Sequence, residues 1–207
     1  MQKLNKEFYL GTDVAVLARE LLGKIVVTKF NNQYTAARIV ETEAYAGIID
    51  RASHAYNSKR TNRTEIMFAE GGYAYVYLCY GIHHMFNIVT NKAGKPDVIL
   101  IRGVEPLEGG KWMLQRYKKD RFDSSIGRGP GNVGKALGIF TAHTGTSLLS
   151  KHFFIAEDGV NHLNIMASKR IGIDYAGAHA QWLYRFFIKN HPQVTKHPFN
   201  KSAIAML

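Results

Sequence analysis

The chain has 207 residues, 46% of them hydrophobic, 12% aromatic and 21% charged, the composition of a folded globular protein with room for one sizeable core or at most two small domains. Its 27 Lys and Arg against 16 Asp and Glu leave a net charge of +11, which favours a polyanionic partner, nucleic acid before a membrane surface, and the aromatic share points the same way because bases stack on rings. A single cysteine, Cys79, excludes an intrachain disulfide, no apolar run approaches the ~20 residues of a membrane span, and Met1 to Glu7 has no apolar h-region, so a protein without membrane anchor or secretory leader is expected.

In chain order, Asp13 can cap a helix whose apolar stripe is Val14, Leu17, Ala18, Leu21 and Leu22, with Gly23 closing it. Lys24 to Phe30 reads as a strand, Asn31-Asn32-Gln33 as a turn, and Tyr34 to Tyr45 as the returning strand. Residues 46–66 form a long polar loop, a length that is usually functional or disordered. Tyr73 to Tyr80 is a tyrosine-rich strand with Tyr73, Tyr75 and Tyr77 on one face. Phe86 to Thr90 and Asp97 to Arg102 follow as strands, the second ending on a cation where a buried run emerges. Pro106 can begin a helix through Trp112 and Tyr117, and Gly129-Pro130-Gly131 opens another through Ile139. Phe153 to Ala156, Ile171 to Ile173 and Tyr184 to Ile188 read as short strands, and the tail after Pro192 as peripheral. Hairpin-length links dominate, so the expected fold is α+β: one compact domain, residues 1–207, with a curved, mainly antiparallel sheet flanked by helices.

The stretch with the most unusual chemistry is Arg38-Ile39-Val40-Glu41-Thr42-Glu43-Ala44-Tyr45. Strand alternation puts Ile39, Glu41, Glu43 and Tyr45 on one face. Two carboxylates beside an aromatic are ordinary on a solvated edge, but a buried pair needs partners, and a pair lining a cleft offers a base next to a flat apolar wall. Alternation does not choose between Glu41 and Glu43.

Other motifs are weaker. Gly129 to Lys135 follows the spacing of a nucleotide-phosphate loop but ends on Ala136, where Ser or Thr would hold magnesium. A glycine-rich helix entry still offers N–H groups to a DNA phosphate. Nine histidines contain no metal-ligand spacing, and His83-His84 do not share a face, so no metal is expected. Cys79 reads as core filler. Taken singly, His54 is a loop histidine and Asn87 a hydrogen-bonded structural amide.

Taken together, the strand from Arg38 to Tyr45, then His54, Met67-Phe68, Tyr75-Val76-Tyr77, Tyr80-Gly81, Asn87, Leu100-Ile101-Arg102 and Glu105-Pro106-Leu107-Glu108-Gly109 resemble, in order and spacing, the alkyladenine (3-methyladenine) DNA glycosylases. Arg128-Gly129-Pro130 and Arg170-Ile171-Gly172-Ile173 fit as well, and the resemblance runs from about Phe8 to Phe187. It implies a base-excision repair enzyme that flips alkylated or deaminated purines, such as 3-methyladenine and hypoxanthine, out of double-stranded DNA. Such an enzyme hydrolyses the N-glycosidic bond without metal, cofactor or strand cleavage. By matched position Glu43 resembles the general base and Arg102 its water-orienting partner. Tyr45, His54 and Tyr77 resemble the pocket walls, and Tyr80 the residue that wedges into the duplex. Asn87 resembles the residue that crowds out the guanine amino group, and the main chain near Ile173 a second water ligand. Ile82 and His83 beside the wedge, Arg63 in the basic loop and Gly131 at the helix entry complete the implied DNA contacts. This chain departs from the family at Asn132, where lysine is frequent, at Ile82, often methionine, and at Thr64, often asparagine.

The residues support the implied chemistry. A stacked base is unreachable, so it must be extruded and the gap filled; Tyr80 beside Gly81 is a rigid side chain on a flexible turn. A cation such as Arg102 near Glu43 favours the carboxylate form, which suits a base. A monomer is expected, at the nucleoid of a bacterial cell or in a eukaryotic nucleus. Two other readings are a non-catalytic nucleic-acid-binding module, which gives no reason for the acid and the arginine, and a nucleoside hydrolase, which gives none for the charge.

Overall fold

The computed structural model describes residues 1–160 and 163–206. After a short strand β1 (Gln2–Lys3) and a single helical turn α1 (Lys6–Tyr9), the Asp13 carboxylate accepts hydrogen bonds from the Ala15 and Val16 N–H groups and so caps α2 (Val14–Glu20). Val14, Leu17, Ala18, Leu21 and Leu22 are all buried, as their spacing requires. Strands β2 (Ile25–Phe30) and β3 (Gln33–Tyr45) form a hairpin closed by Asn31 and Asn32 alone, at φ 50° and 59°. Two left-handed residues are what a two-residue turn needs to follow the twist of its strands, and asparagine tolerates that conformation.

The chain continues through β4 (Ala74–Cys79), β5 (His83–Thr90), β6 (Asp97–Glu108), α3 (Gly110–Tyr117), α4 (Pro130–Leu137), β7 (Phe153–Glu157), β8 (Ile165–Ser168), β9 (Arg185–Ile188) and β10 (Ile204–Ala205). Among the described residues all ten strands join one sheet and every pairing is antiparallel, in the order β1-β7-β2-β3-β6-β5-β4. The sheet forks at β3. Its first half pairs with β2, whereas Glu41, Thr42 and Glu43 pair with Phe187, Phe186 and Arg185 of β9, which carries β8 and then β10.

One face of the sheet packs on α2, α3 and α4. Val26, Ile39, Phe86, Ile99 and Ile101 meet Leu17, Met113 and Val133 there in the main core. The opposite face carries a smaller cluster in which Tyr75, Met67 and Phe68 pack with Tyr45, Tyr73 and Tyr77, so Tyr75 and Tyr77 of β4 and Tyr73 just before it share a face as expected.

Several elements differ from their sequence reading. Pro106 does not begin a helix: it lies inside β6, paired with Ala37, beside a register shift, and the helix starts at Gly110. A bulge spares proline the ladder donor it lacks. Ile39 does not share a face with Glu41. The pairs Ile39↔Val104 and Glu41↔Gly103 leave Val40 as an extra residue, so the strand's two faces exchange there. Ile171 to Ile173 is a bend leading into a 3₁₀ segment (Asp174–Gln181), and the strand in that region is β8. Residues 46–66 fold into turns in which Asp50, Ala52 and Ala55 are buried. The tail is not peripheral: Val194 is buried, and both the Thr195 N–H and hydroxyl donate to Glu41 at 2.7 Å.

Candidate active site

On the face that carries the smaller cluster lies a cavity of about 520 Å³. Strand alternation supplies most of its walls: Tyr75 and Tyr77 from β4, Asn87 from β5, Leu100 and Arg102 from β6, Tyr45 from β3. His54 and Arg63 come from the loop after β3, and Ile171, Gly172 and Ile173 from the bend after β8. Tyr80 stands at the mouth. The structure therefore brings Tyr45, His54, Arg63, Tyr77, Tyr80, Asn87, Arg102 and Ile173 to one place. Cys79 also borders this space half-buried, so it is not core filler.

Glu43 lies fully buried beneath this cavity and is reached through its partners. Its Oε2 accepts from the Tyr45 hydroxyl (2.8 Å) and Arg102 Nη1 (3.1 Å), and its Oε1 from the Ile171 N–H (2.8 Å). All three donors belong to cavity-lining residues. The main-chain group beside Glu43 is thus that of Ile171, while Ile173 packs its side chain with Ala52 and Ala176.

Glu41 is equally buried but differently satisfied. Its Oε1 accepts from Arg102 Nε (3.0 Å) and Arg185 Nε (2.7 Å), and its Oε2 from both Thr195 donors. A carboxylate has about four lone-pair positions. Among the described residues those of Glu41 are all filled by protein, whereas Oε1 of Glu43 has one donor and room for a second. Burial pushes the Glu41 carboxyl up, but the Arg102 and Arg185 cations and the Thr195 N–H outweigh it and hold it below the usual range. Burial also works against the Arg102 guanidinium, and the Glu43 and Glu41 charges more than restore it.

Arg102 does not sit where its strand emerges. It is 5% exposed in the middle of β6, unpaired between Thr42↔Ile101 and Glu41↔Gly103. The adjacent glycine is required, because a Cβ on Gly103 would come within 2.8 Å of the Gln193 carbonyl oxygen and 3.1 Å of Glu41 Cβ.

The aromatic walls are held in turn. His54 Nδ1 and the Tyr75 hydroxyl share a hydrogen bond (2.8 Å), and the His54 and Tyr77 rings meet edge to face at 4.7 Å. Burial first, then the Arg63 and Lys59 cations, lower His54 to about 4, so its imidazole is neutral at physiological pH. Burial, then the Glu43 charge, raises the Tyr45 hydroxyl well above its ordinary value and keeps it a donor. Arg63 lies over the Tyr77 ring, 5.3 Å from its centroid. The Asn87 amide is pinned by donating to the Tyr75 (3.2 Å) and Met85 (3.1 Å) carbonyls.

Tyr80 (91% exposed), at the mouth, and Ile82 (71% exposed), beyond it, project from the β4–β5 turn, with Tyr80 and Gly81 at φ 50° and 73°. That turn rests on the entry to α4, where a Cβ on Gly131 would meet the His83 ring at 2.5 Å. Ile82, His83 and Gly131 thus flank the mouth and do not line it. Asn132 and Thr64 serve their own segments, through Asn132 Nδ2 to the Arg128 carbonyl (2.8 Å) and Thr64 Oγ1 to the Lys59 carbonyl (3.1 Å).

Three buried residues, Asp50, Arg170 and Arg185, and the half-buried Thr195 are not marked as site components by the sequence. Arg170 pairs with Asp50 through both of its terminal nitrogens and stacks over Tyr45, 4.8 Å from the ring centroid. Arg185 and Thr195 hold Glu41. The signal for Arg185 was the one used for Arg102, a cation at the end of an apolar run, here Phe186-Phe187-Ile188; nothing local marks Asp50 or Thr195.

The model of the methylpurine-DNA glycosylase family matches residues 7–192. A Desulfitobacterium hafniense protein named "Putative 3-methyladenine DNA glycosylase" is 41% identical over 202 residues, 94% of this chain and 99% of its own. Proteins of the same name from Clostridium novyi, over 203 residues (95% and 100%), and Clostridium perfringens, over 204 residues (94% and 99%), are also 41% identical. A match of this length and identity, laid over a buried acid and arginine under an aromatic cavity, makes the chain a member of the methylpurine-DNA glycosylase family, hydrolases of N-glycosyl bonds in DNA.

Proposed function

We propose that this protein excises methylated or deaminated purines, 3-methyladenine and hypoxanthine among them, from duplex DNA by base flipping, with a water activated by Glu43. The observation that carries this is the unequal satisfaction of the two buried glutamates: all three donors to Glu43 line the cavity and Oε1 keeps an accepting position, whereas Glu41 meets the cavity lining only through Arg102 and its acceptors are filled.

The damaged nucleotide leaves the stack and Tyr80 fills the gap it vacates. The purine lies between the rings of Tyr45, His54 and Tyr77, and a methylated, cationic purine gains further from the tyrosine faces. As the bond to the base loosens, the sugar becomes oxocarbenium-like and the Glu43 and Arg102 charges frame it. The water oxygen bonds C1′, its proton passes to Glu43, and the C1′–N electron pair goes to the purine. A cationic methylpurine leaves neutral without further protonation. Arg102 and the Ile171 N–H hold the carboxylate in place. Among the described residues no lysine lines the cavity, and the product proposed is an abasic site in an intact strand. DNA contacts at Arg63, Ile82, His83 and the Gly131 main chain would hold the duplex around the extruded nucleotide.

The test is Glu43→Gln, which keeps shape and acceptor but takes no proton. It is expected to bind hypoxanthine-containing duplex as the parent does while single-turnover excision falls by ~10²–10⁴-fold. Excision near the parent rate would move the base to another residue, Glu41 first. A parent that binds duplex and releases no base would make the protein a binding module.

A further inference from the structure

A chain of four buried charges runs through the site, and the mechanism above uses half of it. Arg185 Nε donates to Glu41 Oε1 (2.7 Å), Arg102 Nε donates to the same oxygen (3.0 Å), and Arg102 Nη1 donates to Glu43 Oε2 (3.1 Å). The signs alternate cation, anion, cation, anion, and the group is neutral as a whole. Arg185 is anchored by Ser168 Oγ (3.0 Å), Asn200 Oδ1 (2.8 Å) and the Thr195 carbonyl (3.2 Å).

Neither Glu41 nor Arg185 borders the cavity, and protein groups fill the acceptors of Glu41 and hold the Arg185 guanidinium, so neither is placed to touch a base or a sugar. As packing they are poor choices, because apolar side chains of similar volume often serve a core as well as a buried ion pair. What the pair does accomplish is electrostatic. Arg102 is shared between two carboxylates, and the share that falls on Glu43 depends on how much Glu41 takes.

We propose that Glu41 and Arg185 are positioning residues that tune Glu43: Glu41 fixes the Arg102 fork and draws off part of its field, and Arg185 limits how much is drawn off. This rests on Glu43 being the base. The sign of each effect follows from charge alone. Without the Glu41 charge, two cations face Glu43 with one of them uncompensated, so Glu43 stays ionised to lower pH and is the weaker base. Without the Arg185 charge, Glu41 is an under-compensated anion and Glu43 takes up its proton at higher pH. Other groups facing Glu43 are Tyr45 on its own strand, Tyr77 on β4, Arg170 in the bend, Tyr175 in the 3₁₀ segment and His197 in the tail. His197 is the one imidazole among them, and burial followed by Arg185 and Arg102 lowers it. The comparison is therefore made in a His197→Asn background, which keeps a side-chain acceptor where His197 Nδ1 receives the Phe199 N–H.

The experiment is the pH profile of single-turnover excision of a methylated, cationic purine, whose release needs no protonation, so that the acid limb reports the base. Glu41→Gln is expected to move that limb down, and Arg185→Gln up, each by roughly one pH unit, with damaged-duplex affinity unchanged in both. A merely structural role lowers the plateau and leaves the limb in place. Limbs that stay put, or move in the same direction, overturn the proposal. Thr195→Val and Thr195→Ser answer the same question with no change of charge if the first two variants do not fold. Loss of the hydroxyl donor to Glu41 should raise the limb in Val, and Ser should superpose on the parent; a Val profile that also superposes overturns the proposal. Glu43→Gln in the same assay separates the two ideas. If it remains active, both fail; if it is inactive and the limbs do not move, only the tuning by Glu41 and Arg185 fails.

Discussion

Asn87 shows how much a single side chain carries. Its amide donates to two main-chain carbonyls, Tyr75 and Met85, so it cannot swing away from an incoming base. A pinned group in a wall selects by size, because a substrate that meets it must clash or displace it. Asn87→Ser shortens the side chain, and excision of guanine-type lesions should rise relative to hypoxanthine, by about 10-fold on the scale of one small group in a pocket. Competition between the two lesions in one duplex measures this. An unchanged ratio in a folded variant would leave Asn87 a structural amide and no more. Tyr45 and Tyr77 are the opposite case, since their burial raises both hydroxyls and they meet the cavity as neutral aromatics.

Two elements behave as units. The β4–β5 turn places Tyr80 almost wholly in solvent on a left-handed backbone, a position that no packing within the chain explains. Tyr80→Ala should weaken excision from fully paired duplex by about 10- to 100-fold, the scale of ~1–3 kcal/mol of lost stacking, while a lesion already unpaired is cleaved nearly as before. Equal losses on both substrates would remove Tyr80 from the flipping step. The second unit is the pairing of Asp50 with Arg170, which ties the loop after β3 to the bend that carries Ile171. Asp50→Asn leaves the buried Arg170 cation without its counter-charge and should cost about 3–5 kcal/mol of stability in denaturant unfolding. Excision should fall as well, because Arg170 also backs the Tyr45 ring. A loss under 1 kcal/mol on that scale would mean that water reaches Arg170 and that the pair is no strap.

For the molecule as a whole the dominant quantity is its charge of +11. Duplex DNA releases counterions when lysine and arginine neutralise its phosphates, so log affinity should fall linearly with log salt at about −0.9 per phosphate met. Titration of damaged duplex over a salt series gives that slope, and a flat response would set DNA aside as the main polyanion. The sheet separates the two jobs: its helix-covered face holds the main core, and its other face is free for the cavity and the mouth. Among the described residues no helix is long and apolar enough to cross a membrane.

Local pattern accounts for a good part of this. The α2 stripe, the Asn31-Asn32 turn, the shared tyrosine face of β4 and the antiparallel sheet are legible because capping, turn chemistry and period-two alternation act over a few residues. The order and spacing of Tyr45, His54, Tyr77 and Arg102 likewise mark the family without coordinates. Alternation failed at Val40, where one extra residue in a bulge exchanges the faces of β3 and sends Ile39 into the main core. It was also silent on Glu41 against Glu43, two residues apart on one face. Their difference comes from Thr195 and Arg185, at sequence separations of 154 and 144 residues, which fill the acceptors of one carboxylate and leave the other open. Hydrogen-bond satisfaction of a buried charge depends on which distant segments the fold brings within 3 Å, and no window of sequence holds that information.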